Sequence, residues 1–407
     1  MLSRTPRPHE VKNQSPWQPS LEGIVRTWWR SFLGVVLLIS VGCKPPHLED
    51  RQVRWQSGLP GICLPEDRFT LKVLELDEAG APISKEQWDG VLAAAEQAED
   101  IALFIHGWRR DARDIGSMEG FLKIYRGAFE CLSQRDVEGT EACRALHGFC
   151  HPAAKSSKLV ILILWNGRSG PFGFKGVQRR ANGMGPGLLK AMEAIHQRVH
   201  EKGTFIAMGH SLGGTALASA LNQGVIAGHI PVDGVLLVAS AFDEDLFPFT
   251  PVPRAAQAEG GAFLLNLFNR RDGYLRLYRW LYGHPTAGER GLKGFPVTPG
   301  STWVKEGRLC SLPEDASFGG SLFDAGIRVR SPQGVSLGIL NMDVTGLVRG
   351  HTDIEDAATL RIYNRAATEM LFQILWDRIT KESSGPPTTN SQPSPPAKWS
   401  ASQPKRP

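Results

Sequence analysis

The chain has 407 residues, 42% of them apolar and 21% charged, a composition suited to a globular protein with room for one large core. Its formal charge of +5 is spread along the sequence, with no basic stripe interleaved with aromatics, which argues against a nucleic-acid partner. No apolar run reaches the ~20 residues that a membrane-spanning helix needs.

At the N-terminus, Arg26 and Arg30 precede the apolar stretch from Phe32 to Val41, which runs into Gly42-Cys43. A basic flank, a short apolar core and small residues before a cut describe a secretory signal. The Cys after Gly42 resembles the lipobox of bacterial lipoproteins. That resemblance implies that Cys43 becomes the lipidated first residue of a mature chain held at a membrane of the cell envelope. A different cut, or an uncleaved anchor, is the alternative. The stretch before the apolar core is long for a signal, and a start codon assigned too early accounts for it. Export permits disulfides. Cys63, Cys131, Cys143, Cys150 and Cys310 remain after Cys43, an odd set whose pairing the spacing leaves open. None has the CxxC spacing of a zinc site.

Residues 1–43 therefore read as targeting sequence, 44–58 as a tether and 59–381 as the folded domain. Ser84 and Gln87 predict a capped helix with Trp88, Val91, Leu92 and Ala95 on one side. Ile101 to Ile105 is a short, wholly apolar run, followed directly by His106-Gly107-Trp108. Met118, Phe121, Leu122, Tyr125 and Phe129 repeat at helical spacing. Leu159 to Leu164 is a second apolar run and ends before Trp165. Leu188, Leu189, Met192, Ile195 and Val199 predict a helix that Gly203 stops. Gly183-Met184-Gly185-Pro186-Gly187 before it lacks the Lys-Ser/Thr of a phosphate loop and reads as a helix lead-in.

Further apolar runs follow at Thr204 to Met208, Val235 to Ala239 and Phe263 to Phe268. Runs of this length without polar alternation suit strands buried on both faces. Residues 283–340, rich in Gly and Pro, break the rhythm and read as an insertion near the sheet edge. A last helix carries Leu360, Tyr363, Ala367, Leu371 and Ile374. Residues 382–407 are Ser-, Pro- and Thr-rich and cannot bury enough surface to offset chain entropy, so they read as a disordered tail. Strands alternating with helices predict a doubly wound α/β fold with a mostly parallel sheet and helices on both faces.

The chemistry concentrates at Gly209-His210-Ser211-Leu212-Gly213-Gly214, between the strand Thr204 to Met208 and a helix with Leu217, Ala220 and Leu221. A G-x-S-x-G turn in a strand–turn–helix setting exposes a Ser oxygen at the carboxyl end of the strand, above a helix N-terminus that favours negative charge. Gly209 and Gly213 relieve the crowding of that turn. A Ser hydroxyl needs a base to take its proton, and the base needs an orienting carboxylate. Three histidines lie downstream. His229 is too early and His284 too close to the acid candidates, whereas His351 immediately precedes the last helix. Asp272, in Asn269-Arg270-Arg271-Asp272 after the run Phe263 to Phe268, leads the candidates for the acid; Asp243 and Asp245, after the preceding run, remain open. The bland reading of all three is a solvated loop carboxylate or a helix N-cap.

Together, Phe104-Ile105-His106-Gly107-Trp108, Trp165, the Gly-His-Ser-Leu-Gly-Gly turn, Asn-Arg-Arg-Asp and the late Gly350-His351 resemble the α/β-hydrolase superfamily, in particular a group of bacterial α/β hydrolases. The resemblance covers residues 98–275 well and the His351 region by position. It implies an esterase- or lipase-type acyl transfer through an acyl-serine, with no cofactor and no metal. Ser211 would be the nucleophile, His351 the base, Asp272 the acid, and the amides of Trp108 and Leu212 the oxyanion hole. His106 is expected to brace its loop rather than react. Pro171, Phe172, Phe174 and Phe247-Pro248-Phe249 are loop anchors or the lining of an acyl pocket. The expected partner is an ester substrate, small or lipid, with the membrane reached through the lipid anchor. The rival functions are other acyl chemistry on the same fold (thioesterase, transacylase, peptidase) and a non-catalytic envelope lipoprotein that uses the fold as a scaffold.

Overall fold

The computed structural model describes residues 69–108, 124, 157–169, 173–199, 203–247, 250–251, 261–300, 327–351 and parts of a helix between 359 and 378. The targeting segment with Cys43, the tether 44–58, the other five cysteines, most of the helix expected at 118–129 and the tail 382–407 lie outside the described residues.

Ten strands form one sheet: β1 (Phe69–Glu75), β2 (Asp100–Ile105), β3 (Lys158–Leu164), β4 (Thr204–His210), β5 (Gly234–Val238), β6 (Thr250–Pro251), β7 (Ala262–Phe268), β8 (Val297–Pro299), β9 (Ile327–Arg330) and β10 (Ser336–Asp343). Their order is β1-β3-β2-β4-β5-β7-β10-β9-β6, with β8 also on β10. Every pairing from β1 to β10 is parallel, while β9 and β6 add antiparallel edges. The expected apolar runs are β2, β3, β4, β5 and β7, and all but the first residue of β3 are buried in them.

Helices α1 (Lys85–Gln97), α2 (Phe174–Gly183), α3 (Gly185–His196), α4 (Leu212–Ala227), α5 (Gly273–Tyr282) and α6 (Ala287–Arg290) connect the strands. Strand register decides which face each covers. Gly209 lies against Gly214 of α4 and pairs with Leu237, so Leu237 faces α4. Gly234, three residues earlier in β5, points the other way and packs under Met370 and Ile374 of the C-terminal helix. The sheet is thus covered on both faces, and the fold is doubly wound α/β.

Three elements depart from the expectations. Strand β1 carries Lys72 and is only partly buried at its start, so it lacks the apolar signature of its neighbours. Gly203 does not stop a helix: α3 ends at His196, and Gly203 instead lets the chain pass the Glu99 carbonyl, which a Cβ would meet at 1.9 Å. The Gly183–Gly187 run is a packing joint rather than a simple lead-in. A Cβ on Gly185 would lie 2.2 Å from Ser219 Oγ of α4, and one on Gly187 2.2 Å from the Ala79 carbonyl.

The expected insertion at 283–340 is partly sheet. It contributes β8, β9 and the first half of β10, and α6 lies on the carboxyl edge of β5 and β7. Ala287 N–H donates to Phe242 O and Gly288 N–H to Ser240 O. A buried asparagine pair holds this segment down. Asn266 and Asn341 are register partners on β7 and β10. Asn266 Nδ2 donates to Asn341 Oδ1 at 2.9 Å and to Ala287 O at 3.0 Å. Asn341 in turn satisfies both the N–H and the C=O of Leu292. Besides each other, these buried amides satisfy backbone groups of Ala287 and Leu292 that would otherwise be left dry.

Candidate active site

The strand order sets the loops after β2 and β4 side by side, because these two strands pair directly. In open α/β sheets this carboxyl-end crevice, where the strand order reverses, is where ligands sit. Ser211 joins β4 to α4 with φ 54° and ψ −120°, a conformation costing about 1–3 kcal/mol for a residue with a side chain. Its backbone is pinned on both sides: its N–H donates to Val238 O and its carbonyl accepts from Ala241 N–H, each at 3.0 Å. Gly213 is required beneath it, since a Cβ there would meet Ile105 O at 2.2 Å.

Gly107 makes the matching approach from the other loop. A Cβ on it would fall 2.8 Å from Ser211 Cβ. The sequence reading has the Ser211 oxygen exposed; in the structure the residue is only 3% exposed, because Gly107 and the His351 ring close over it. Leu212 opens α4, so its amide has no partner within the helix. Trp165 N–H donates to His106 Nε2 at 3.2 Å, so His106 Nδ1 carries the proton and donates to Gly107 O at 2.8 Å. That bond fixes the Gly107–Trp108 peptide, whose N–H is the expected second oxyanion donor. Trp165 also stacks on His106 and donates its indole N–H to the His106 carbonyl at 2.9 Å. His106 is thus a brace.

Across the site, His351 Nε2 lies 2.8 Å from Ser211 Oγ and its Nδ1 lies 2.6 Å from Asp272 Oδ2. A neutral imidazole that donates from Nδ1 to a carboxylate leaves the Nε2 lone pair to accept the Ser211 proton. Asp272 is 1% exposed and divides its oxygens. Oδ2 takes His351, while Oδ1 accepts the Tyr274 and Leu275 amides as the N-cap of α5, at 3.0 and 3.1 Å. The helix cap and the bond to His351 therefore coexist in one side chain. Asp243 and Asp245 are exposed and are not brought to the imidazole. His284 is exposed, and His229 pairs with Glu193 at 2.6 Å.

Neither family models nor curated proteins match this sequence.

Further contacts that the sequence patterns did not reveal surround these residues. Asn269 Nδ2 donates to Val348 O at 2.9 Å, and Arg270 N–H donates to Thr345 Oγ1 at 2.9 Å; the loop of Asp272 is thereby stitched to the loop of His351. His210, beside Ser211, donates from Nε2 to the carbonyl of His351 at 2.8 Å. Glu289 of α6 is buried against Arg279, with 3.0 Å between them. Burial pushes its carboxyl above the usual range, and the Asp272 charge adds to the rise, while Arg279 opposes it most among the nearby arginines.

Aromatic rings wall one side. Trp108 meets Phe174 edge to face at 5.1 Å, and Phe174 meets Tyr278 at 5.2 Å and Tyr282 at 6.0 Å. Tyr274 lies 5.4 Å from the His351 ring. Phe174 is thus linked to the loop of Trp108, whereas Phe247 packs on Phe242; Pro171, Phe172, Pro248 and Phe249 lie outside the described residues. Among the described residues no group of three His, Cys, Asp or Glu side chains is placed to hold a metal ion.

Proposed function

We propose that this protein is a serine hydrolase of the α/β-hydrolase type that cleaves carboxylic esters. The observation that carries the reading is the unbroken Ser211–His351–Asp272 chain of hydrogen bonds, at 2.8 and 2.6 Å, built on a strained Ser between glycines. These contacts join residues 140 and 79 positions apart in the sequence.

In this reading His351 Nε2 takes the Ser211 proton as Oγ attacks the ester carbonyl. The Trp108 and Leu212 amides receive the developing oxyanion, each donor contributing about 3–4 kcal/mol to the transition state. His351 then gives the proton to the leaving alcohol and afterwards activates water against the acyl-serine. Asp272 keeps the imidazole in the required tautomer throughout. Supported by the basic flank, apolar core and Gly42-Cys43, the protein is exported and anchored through a lipid on Cys43 at a membrane of the cell envelope.

A fluorophosphonate probe tests the chemistry. Labelling of the wild type but not of Ser211→Ala, with kcat on p-nitrophenyl acetate lower by about a millionfold in the variant, is the expected result. A folded wild type that takes no label overturns the reading and favours a scaffold lipoprotein.

A further inference from the structure

Helix α5 begins at the acid and leads away from the site with the sequence Gly-Tyr-Leu-Arg-Leu-Tyr-Arg-Trp-Leu-Tyr. One side is core: Leu275 and Tyr278 are buried. The other side is apolar too and meets solvent. Tyr274 is 52% exposed, Leu277 52%, Trp280 74% and Leu281 53%. At 3.6 residues per turn these four fall within about 120° of the helix face. They are most of the large apolar side chains left exposed among the described residues. A helix apolar on both sides is ordinarily buried on both, so this outer face calls for an occupant.

The charges around it select the occupant. No carboxylate occurs from Gly273 to His284. Arg271 and Arg276 are exposed, and Lys175 sits 4.6 Å above the Tyr282 ring. Of the carboxylates beside the helix, Asp272 and Glu289 are buried and engaged, by His351 and Arg279, while Asp243 lies within electrostatic reach of Tyr278, on the buried side. Among the described residues the exposed charges on the helix and just before it are cationic, and the complement of such an apolar stripe is an anionic surface that also offers hydrocarbon. Four half-exposed side chains present about 400 Å², well short of the about 800 Å² per partner of a stable protein interface. They do suffice for a helix lying in the headgroup region, where Trp and Tyr rings are favoured. At about 15 Å long the helix cannot cross a hydrocarbon core of about 30 Å, so it lies along the surface.

We propose that the outer face of α5 seats on an anionic lipid bilayer, and that the ester delivered to Ser211 is therefore a lipid drawn from that bilayer. The second half rests on the hydrolase reading; the first does not. Continuity supports the delivery: the stripe starts at Tyr274, which lies against His351.

The test compares the full-length chain with Leu277→Ser/Trp280→Ser and with Arg271→Glu/Arg276→Glu, on vesicles of phosphatidylcholine alone or equimolar with phosphatidylglycerol. All four side chains are exposed, so melting curves should match the wild type. The wild type should bind the anionic vesicles about tenfold more tightly than the apolar double variant. The charge variant should lose the preference for phosphatidylglycerol. Brominated phosphatidylcholine should quench a component of tryptophan emission that Trp280→Phe removes, which reads this helix whatever else tethers the chain. The ratio of activity on vesicle-embedded p-nitrophenyl palmitate to that on soluble p-nitrophenyl acetate should fall in the apolar double variant. Equal vesicle binding by all chains, with no quenching tied to Trp280, overturns the docking. So does a wild type that dimerises on gel filtration while the apolar variant stays monomeric, since the face would then belong to a second protein. A chain that binds and is quenched but hydrolyses neither ester supports the docking and overturns the hydrolase reading.

Discussion

Asp272 does two things with two oxygens, and substitution can separate them. Asn keeps a side-chain acceptor for the Tyr274 and Leu275 amides but presents no carboxylate to His351. Asp272→Asn should lower kcat by about ten thousandfold while leaving the melting temperature close to that of the wild type, since Asn caps helices about as well. Asp272→Ala should match that activity loss and also destabilise the fold by about 1 kcal/mol through the lost cap. Parallel ester assays and urea melts distinguish the two effects. His210 works at one remove, through the His351 carbonyl. His210→Phe fills the space but donates nothing, so the imidazole loses a backbone anchor. The expected outcome is a kcat lower by about ten- to a hundredfold with KM little changed, together with a displaced acid limb of the kcat profile. An unaltered pH profile with a uniformly lowered melting temperature would make His210 merely structural. Ser211, His351 and Asp272 were legible in the sequence because each belongs to a local pattern: a glycine-flanked Ser, a Gly-His before a helix, an Asp just past an apolar run. His210 was not, because its meaning depends on a carbonyl 141 residues away, and the variable position of a motif carries no such signal.

Among the elements, the core strands announced themselves as apolar runs, and Ser84 caps α1 by accepting from Gln87 N–H as its spacing predicts. Gln87 does not close the box, however; its side-chain oxygen accepts from Glu75 N–H and ties α1 to β1 instead. Strand β10 was hidden inside the Gly- and Pro-rich stretch because Gly338 and Asn341 interrupt its apolar pattern. Both have tertiary reasons that no periodicity reveals. A Cβ on Gly338 would crowd the Phe263 ring at 2.9 Å, and Asn341 holds α6 and Leu292 against the sheet. The same packing buries Glu289. Its raised pKa means that the folded chain takes up a proton more readily than the unfolded chain. Stability is therefore lost as pH rises from the ordinary carboxylate value through the raised one, and is not recovered above it. Urea melts should show the wild type losing stability relative to Glu289→Gln between acid and neutral pH. Arg279→Ala should deepen that loss by leaving the carboxylate without its cation.

For the molecule as a whole, the doubly wound architecture followed from alternating patterns, and Ser211, His351 and Asp272 meet where that architecture gathers its loops. What could not be read was the joining of Asp272 to His351. Residues 283–340 separate them in sequence, yet β7 and β10 are neighbours, and Asn269 and Thr345 tie their loops together. Strand pairing across a long connection leaves no local trace, so an insertion and a hidden strand look alike until the sheet is assembled. The shared carboxylate of Asp272 has a mechanical corollary. It is the fulcrum of α5: one oxygen grips the first turn of the helix and the other grips the imidazole. Trp280 lies about 12 Å along the axis from that point, so a force applied at the far end of the rod is shared between the Asp272–His351 contact and the Arg279–Glu289 pair.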